Sequence, residues 1–430
     1  MRSLTHPTFN HYFKKSFLEK TIMRIERLAL KNFKCFKEVD VSFSKITLLT
    51  GENSSGKSSL IYGILVPLQS INFNNDKSFP LYLSLNGRYI NTGGFEEVSF
   101  SHNLKSSLGI ELDLHFSDIE SHYLSTSWCF DISSKSPKLN YSKIVNRTCR
   151  TEIKLEGLYY NINSNFTNKE DSKNDLINVK VRYIDRLEHY YEYGFIDYYS
   201  IELYQDLDNA FNFISSFRLH PDRTYYQSIT SNKVDRFGGG YIDQVLDWND
   251  RQSEELYELV SILRDLKMIY DIKPHRLSGG RFEIKVKVKS KSKWESLADV
   301  GFGISQFLPI IVADLQLEDN STLIMSQPEI HLHPSVQANL GNYLVKQVKE
   351  RSKNYIVETH SEYLLNRMRL LIVKGEIQPE DVAVYYFENS IKNGSIAHRI
   401  EFTKDGQILN APKGFFETYM IDTMDIALNA

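Results

Sequence analysis

Cysteine is scarce in this chain: Cys35, Cys129 and Cys149 are the only three among 430 residues, odd in number and without a C-x-x-C spacing. That excludes a disulfide framework and a cysteine-based zinc site, and it points to a reducing compartment. No apolar run approaches the roughly eighteen residues of a membrane helix, so no membrane partner is expected. A dominant charge is missing too. With 51 Lys and Arg against 54 Asp and Glu the net charge is −3, so nucleic acid would have to be met by a local basic patch rather than an overall field. Residues 1–22 lack the apolar core and small-residue cleavage site of a secretory signal, and are expected to be an extension of a cytoplasmic protein. What is present, 41% hydrophobic and 24% charged residues, matches globular proteins. The length suits two or three domains of about 150 residues, or one large core with an insertion.

Residues 25–30, and 39–43 running on to 46–49, read as two short strands, and 57–69 as an apolar helix with Pro67 late in it. From about residue 72 the texture becomes rich in Tyr, Asn and Ser. There 110–116 alternates as an antiparallel strand, 197–217 is expected to be helical, and 254–270 is the best-patterned helix. In that helix Leu256, Leu259, Val260, Leu263, Leu266 and Ile269 recur on one face. No heptad pattern is sustained, which argues against a long coiled-coil arm. Stretches 322–325 and 355–357 read as buried parallel strands, each followed by a polar loop and a helix. The expected fold is α/β with a mixed sheet. Its core is divided between 23–115 and 274–430, around an inserted α+β or helical region at 116–273.

The strongest motif is Gly51-x4-Gly56-Lys57-Ser58, a phosphate-binding loop between a predicted strand and a predicted helix. Its glycines let backbone N–H groups wrap phosphate oxygens, Lys57 reaches the terminal phosphates, and Ser58 offers a hydroxyl to Mg2+. Asn53, Ser54, Ser55, Gly56, Lys57, Ser58 and Ser59 are therefore the candidate ATP-binding residues.

Residues 23–36 followed by 48–58 resemble the opening of the SMC/RecF/OLD-like branch of ABC-type ATPases, soluble ATPases of DNA repair, chromosome handling and bacterial phage defence. The resemblance implies a P-loop NTPase core using ATP and Mg2+, and it extends to the later motifs in the same order. Leu277-Ser278-Gly279-Gly280 copies the letters of the family's signature but lies too far ahead of Ser326. Asp299 to Gln306 has the family's spacing, so Gly303, Ser305 and Gln306 are the residues expected to meet a partner subunit's γ-phosphate. Residues 323–334, Leu-Ile-Met-Ser-Gln-Pro-Glu-Ile-His-Leu-His-Pro, resemble the family's Walker B segment, except that Ser326 stands where the first acid belongs. Gln327 follows, so hydrolysis is expected to be slow, with Gln327 orienting a water and Glu329 as the acid that remains. Glu358-Thr359-His360-Ser361 resembles the switch loop, in which His360 senses the γ-phosphate.

Residues 91–98, 217–225 and 405–417 resemble segments of phage-defence relatives, with no mechanism to carry over. Gln69 is a weak candidate for the family's Q-loop glutamine and reads better as a helix-surface residue. Residues 282–294 alternate, setting Lys285, Lys287, Lys289, Lys291 and Lys293 on one face of a half-buried strand. That stripe either tracks phosphates of DNA or guards an edge strand.

An ABC-type site is completed in trans, so the resemblance implies a homodimer or higher oligomer. The segment after His360 is short for a Toprim nuclease domain and shows no acid cluster for two metals. A separate effector, nuclease or toxin, is therefore expected. The leading expectation is an ATP-gated clamp in anti-phage defence; the alternatives are a RecF-like DNA-repair ATPase and a non-hydrolysing scaffold.

Overall fold

The computed structural model describes residues 23–70, 83–116, 120–145, 149–157, 159–167, 174–182, 210–227, 233–390, 394–412 and 415. The expected extension at 1–22 and most of the C-terminal stretch 405–417 after residue 412 lie outside them.

The chain opens with β1 (Met23–Phe33), β2 (Phe36–Ser42), β3 (Ile46–Gly51) and helix α1 (Lys57–Ser70). After a short helical turn, α2 (Phe95–Val98), comes a meander: β4 (Leu108–Phe116), β5 (Glu120–Asp131), β6 (Ser136–Val145), β7 (Cys149–Glu156), β8 (Tyr159–Thr167) and β9 (Asn174–Arg182). Then follow β10 (Phe211–Ile214), β11 (Tyr225–Tyr226), α3 (Tyr241–Arg251), α4 (Glu254–Asp265), β12 (Asp271–Arg276), β13 (Arg281–Lys287) and β14 (Glu295–Ser296). The last part holds α5 (Phe302–Gln316), β15 (Thr322–Ser326), α6 (Pro334–Arg351), β16 (Asn354–Glu358), α7 (Glu362–Val373), β17 (Val382–Ser390), β18 (Gly394–Phe402) and β19 (Ile408–Leu409).

One sheet runs in the order β10-β15-β16-β3-β17-β18-β2-β1-β4-β5-β6-β7-β8-β9, with β19 beside β18. Its first five strands are parallel, which directs the ends of β3, β15 and β16 to one edge, where an α/β sheet places its ligands. Residues of these strands point alternately to two cores. Ile46 and Leu48, Leu323 and Met325, Tyr355 and Val357 face the side of α3 to α7. Leu49, Ile324 and Ile356 face α1 and the inner surface of β1, β2 and the meander. Strands buried on both faces read as continuous apolar runs, as these do. Helix α1 is apolar nearly all round because it is enclosed nearly all round, from Leu60 to Ser70.

Several expectations change here. Residues 211–214, expected to be helical, are strand β10: Phe-Asn-Phe-Ile is buried throughout and pairs with Thr322 to Met325. The rest of that predicted helix before residue 210 lies outside the described residues. Helix α4 ends at Asp265, because Lys267 takes φ +61° and turns the chain toward β12. Stretch 116–273 belongs to the same sheets as its flanks: β4 to β9 extend the large sheet from β1, and β10 forms its opposite edge.

The lysine strand is also shorter than expected. β13 ends at Lys287, and a turn in which Ser292 bonds Lys289 through both backbone and hydroxyl carries Lys289, Lys291 and Lys293 away from it. β13 is flanked by β12 on one side and by β11 and β14 on the other, so it is not an edge. Lys285 pairs with Glu283 at 3.0 Å.

Candidate functional site

The phosphate-binding loop connects β3 to α1 and depends on two glycines. Gly51 has φ +128°, and a Cβ there would lie 2.2 Å from the Phe387 carbonyl oxygen. Gly56 has φ +108°, and its Cβ would press on the Phe36 ring and Cys35 Sγ. Only glycine fits either place. Glu52, Asn53 and Ser54 form the exposed crest, while Ser55, Gly56 and Lys57 are buried beneath it. Ser55 Oγ donates to the Glu52 carbonyl at 2.7 Å and pins the crest. Lys57 Nζ donates to the Gly51 carbonyl at 3.1 Å and to that of Glu52, folded onto the loop it would leave to meet a phosphate. Burial pushes its amine below the ordinary lysine value, against the pull of Glu358 and Glu52. A buried cation under a glycine-lined concavity whose walls admit no Cβ fits a polyphosphate. Ser58 and Ser59, half-buried in the first turn of α1, complete the predicted set.

The Walker B resemblance places Ser326 at the end of β15, buried and paired in register with Glu358 at the end of β16. Gln327 takes φ +47° and its N–H donates to the Glu358 carbonyl at 2.6 Å, so the chain leaves the sheet sharply there. Glu329 is buried, and its Oε1 accepts the His360 N–H at 2.6 Å, while its Oε2 has no hydrogen-bond partner. Burial raises its carboxyl above the usual carboxylate range, opposed by that N–H, by Thr359 and by Arg218. His360 itself is exposed, and desolvation together with the Lys57 ammonium holds its imidazole below the ordinary value.

Two residues that the sequence did not single out belong to this site. Glu358 is buried, and Ser58 Oγ donates to its Oε1 at 2.8 Å. Arg218, noticed only as part of stretch 217–225, is 2% exposed and donates to the carbonyls of Ser215 at 3.0 Å, Ser326 at 3.3 Å and Gln327 at 3.1 Å. Burial pushes its guanidinium down to about 10. The signal for Arg218 was a charged residue in an apolar stretch; for Glu358 it was an acid at the end of a buried strand, beside the histidine that drew attention.

The predicted signature opens α5. Ser305 is buried, and its hydroxyl donates to the Phe302 carbonyl at 2.9 Å. Gln306 donates to the Leu219 carbonyl at 3.1 Å. Gly303 lies against the His331 carbonyl, where a Cβ would come within 2.5 Å. What this turn presents to solvent is Gly301, with Phe302 and Gly303 half-exposed, rather than the Ser305 hydroxyl. Phe302 meets the His220 ring in a tilted stack at 4.3 Å and the His331 ring edge-on at 4.6 Å. His333 caps α6. Leu277 to Gly280 is an exposed turn between β12 and β13. Gln69 is buried, not a helix-surface residue, because its amide clips the Ser84 carbonyl and the Ile90 N–H, away from the phosphate loop.

Residues 23–365 match the model of the AAA ATPase domain, and residues 377–426 match that of a protein of unknown function, DUF3696. No curated protein matches the chain. Among solved structures, the SMC head domain from Thermotoga maritima shares 14% identity, with 87% of this chain and 98% of that one covered at a TM-score of 0.37. The Smc head domain with an extended coiled coil bound to the C-terminal domain of ScpA, from Pyrococcus furiosus, shares 11%, with 94% and 100% covered at 0.45.

Proposed function

The chain belongs to the AAA ATPase domain family, and from that premise we propose that it binds ATP with Mg2+ at the loop between β3 and α1 and hydrolyses it slowly, as an ATP-gated clamp. The observation that carries the reading is the convergence of Lys57, Ser58, Glu358, Glu329 and His360 around a loop whose Gly51 and Gly56 admit no side chain. Lys57 and the loop's N–H groups would hold the phosphates, and Ser58 would offer its hydroxyl to Mg2+, which supplies charge neutralisation at the phosphate oxygens when bound. Glu329, short of one hydrogen bond, is the candidate base for water, and Gln327 the residue that orients it. His360, on the loop that Glu329 holds, reports the presence of the terminal phosphate. With Ser326 and Gln327 in place of acids, turnover is expected well below the usual enzyme median of about 10 s−1.

The exposed first turn of α5 supports completion of the site by a second copy, through backbone N–H groups of Gly301 to Gly303. A homodimer that closes on two nucleotides and passes that state to a separate effector in phage defence is the fuller form of the reading. Its defence part rests on the resemblance at the Walker B segment 323–334 and at the C-terminal stretch 405–417. The DNA-repair alternative is weakened by the break in the lysine strand after Lys287. A non-hydrolysing scaffold is favoured by Ser326 and Gln327.

The test is ATP binding and steady-state hydrolysis with magnesium, beside Lys57→Ala and Glu329→Gln, with molar mass followed by light scattering. We expect slow turnover in the wild type, binding weakened at least about 100-fold in Lys57→Ala, and retained binding with lost turnover in Glu329→Gln. Binding without any turnover selects the scaffold, and a mass unchanged by ATP removes the clamp. Absence of ATP binding defeats the whole reading.

A further inference from the structure

Ser326 leaves the chain without the carboxylate that its relatives place at the end of the Walker B strand, yet a carboxylate stands beside the metal-side hydroxyl all the same. β16 lies between β15 and β3 in the sheet. Glu358, the last residue of β16, is the direct register partner of Ser326 on one side, while on the other it pairs with Leu49 of β3, just before the phosphate loop. An acid one strand closer to the loop needs less reach to stand at the same place. The Glu358 side chain uses this position: it is buried, and its Oε1 accepts the Ser58 hydroxyl at 2.8 Å. Its charge also acts on Lys57, His360 and Tyr62, so it lies at the centre of the site's electrostatics.

Magnesium at a nucleotide keeps several waters and is held through one or two protein groups plus phosphates, so a single serine hydroxyl with one carboxylate suffices. Ser58 is the group expected to give its hydroxyl to the ion, and a carboxylate already within hydrogen-bond distance of that hydroxyl is placed to hold the ion's waters.

Building on the proposed ATP site, we propose that Glu358 has taken over from the missing Walker B acid as the carboxylate that supports the magnesium shell beside Ser58. The acid has moved one strand inward along the sheet. Glu358 is thus a positioning residue for the metal, distinct from Glu329, whose bond to the His360 N–H ties it to the switch loop.

The experiment is calorimetric titration with ATP, in excess magnesium and again in EDTA, on the wild type, Glu358→Gln, and Glu358→Gln combined with Ser326→Asp. We expect magnesium to tighten binding by the wild type about 10- to 100-fold, the range lost when a metal's supporting group is removed. Glu358→Gln should bind ATP in EDTA at least as tightly as the wild type does, since a negative charge beside the phosphates is gone, and lose that tightening. Ser326→Asp, restoring an acid at the paired position, should return most of it. Full tightening in Glu358→Gln overturns the proposal, and so does loss of its binding in EDTA, which would make Glu358 a support of the loop itself. Failure of Ser326→Asp to restore tightening also overturns it, because the missing charge would then not be what was lost. A wild type that binds no ATP under either condition defeats the ATP-binding reading instead, so the two failures are distinguishable.

Discussion

Glu329 is buried with one oxygen bonded to the His360 N–H and the other without a partner. Its carboxyl lies above the reference 4.5 because burial disfavours the charge. A group raised in the folded state adds stability while protonated, below its unfolded pKa, and loses that contribution as pH rises through the folded value. Glu329→Gln keeps an oxygen for the His360 N–H and removes the titration. Urea unfolding between pH 4 and 8 should therefore show the wild type losing stability relative to the variant as pH rises from 4.5, with the variant at least as stable at pH 7. Arg218 gives the opposite case, a buried charge whose value lies in what it bonds. Arg218→Met leaves the carbonyls of Ser215, Ser326 and Gln327 without that donor, and should cost about 2–4 kcal/mol in chemical denaturation. At this scale legibility followed chain distance. The Gly51 to Ser58 motif is local and could be read outright, whereas Glu358 meets Ser58 across 300 residues, and no periodicity announces such a contact.

Elements were legible where they are enclosed on every side. The runs in β3, β15 and β16 and the apolar α1 declared themselves, since burial on both sides leaves no polar alternation to misread. β10 was missed because Phe211, Phe213 and Ile214 around Asn212 suit a buried helix turn as well as a strand; only pairing with β15 decides between them. The lysine strand was overextended because Ser290 and Ser292 keep the alternation going through what is a turn. The join between β3 and α1 leaves no room for a side chain at Gly51 or Gly56. Gly51→Ala introduces a Cβ at 2.2 Å from a backbone oxygen with φ at +128°. A loss of about 2 kcal/mol or more in thermal unfolding is expected, with weakened ATP binding.

For the whole molecule, the meander is part of the main core. Trp128 of β5, Leu139 of β6, Ile153 of β7 and Ile162 of β8 share a cluster with Leu60, Ile61 and Ile64 of α1. Trp128 is fully buried, so Trp128→Ala should cost about 3–5 kcal/mol, with melting still a single transition by calorimetry. A boundary near residue 116 was suggested by composition, but β5 pairs back along β4 and carries the sheet past it. Among the described residues no helix is long and apolar enough to cross a membrane.

The large sheet also has a line of least stitching. Among the described residues the ladder between β18 and β2 holds the Gly394 and Phe36 pair, beside which the Ser395 N–H bonds the Cys35 carbonyl, while the Tyr385 hydroxyl ties the far end of β2 by bonding the Ser42 N–H and carbonyl. This line passes directly behind the phosphate loop, since Gly56 rests on Phe36, Cys35 and Ser395. The phosphate-binding loop thus sits on the seam between a parallel panel and a long antiparallel wing of one sheet.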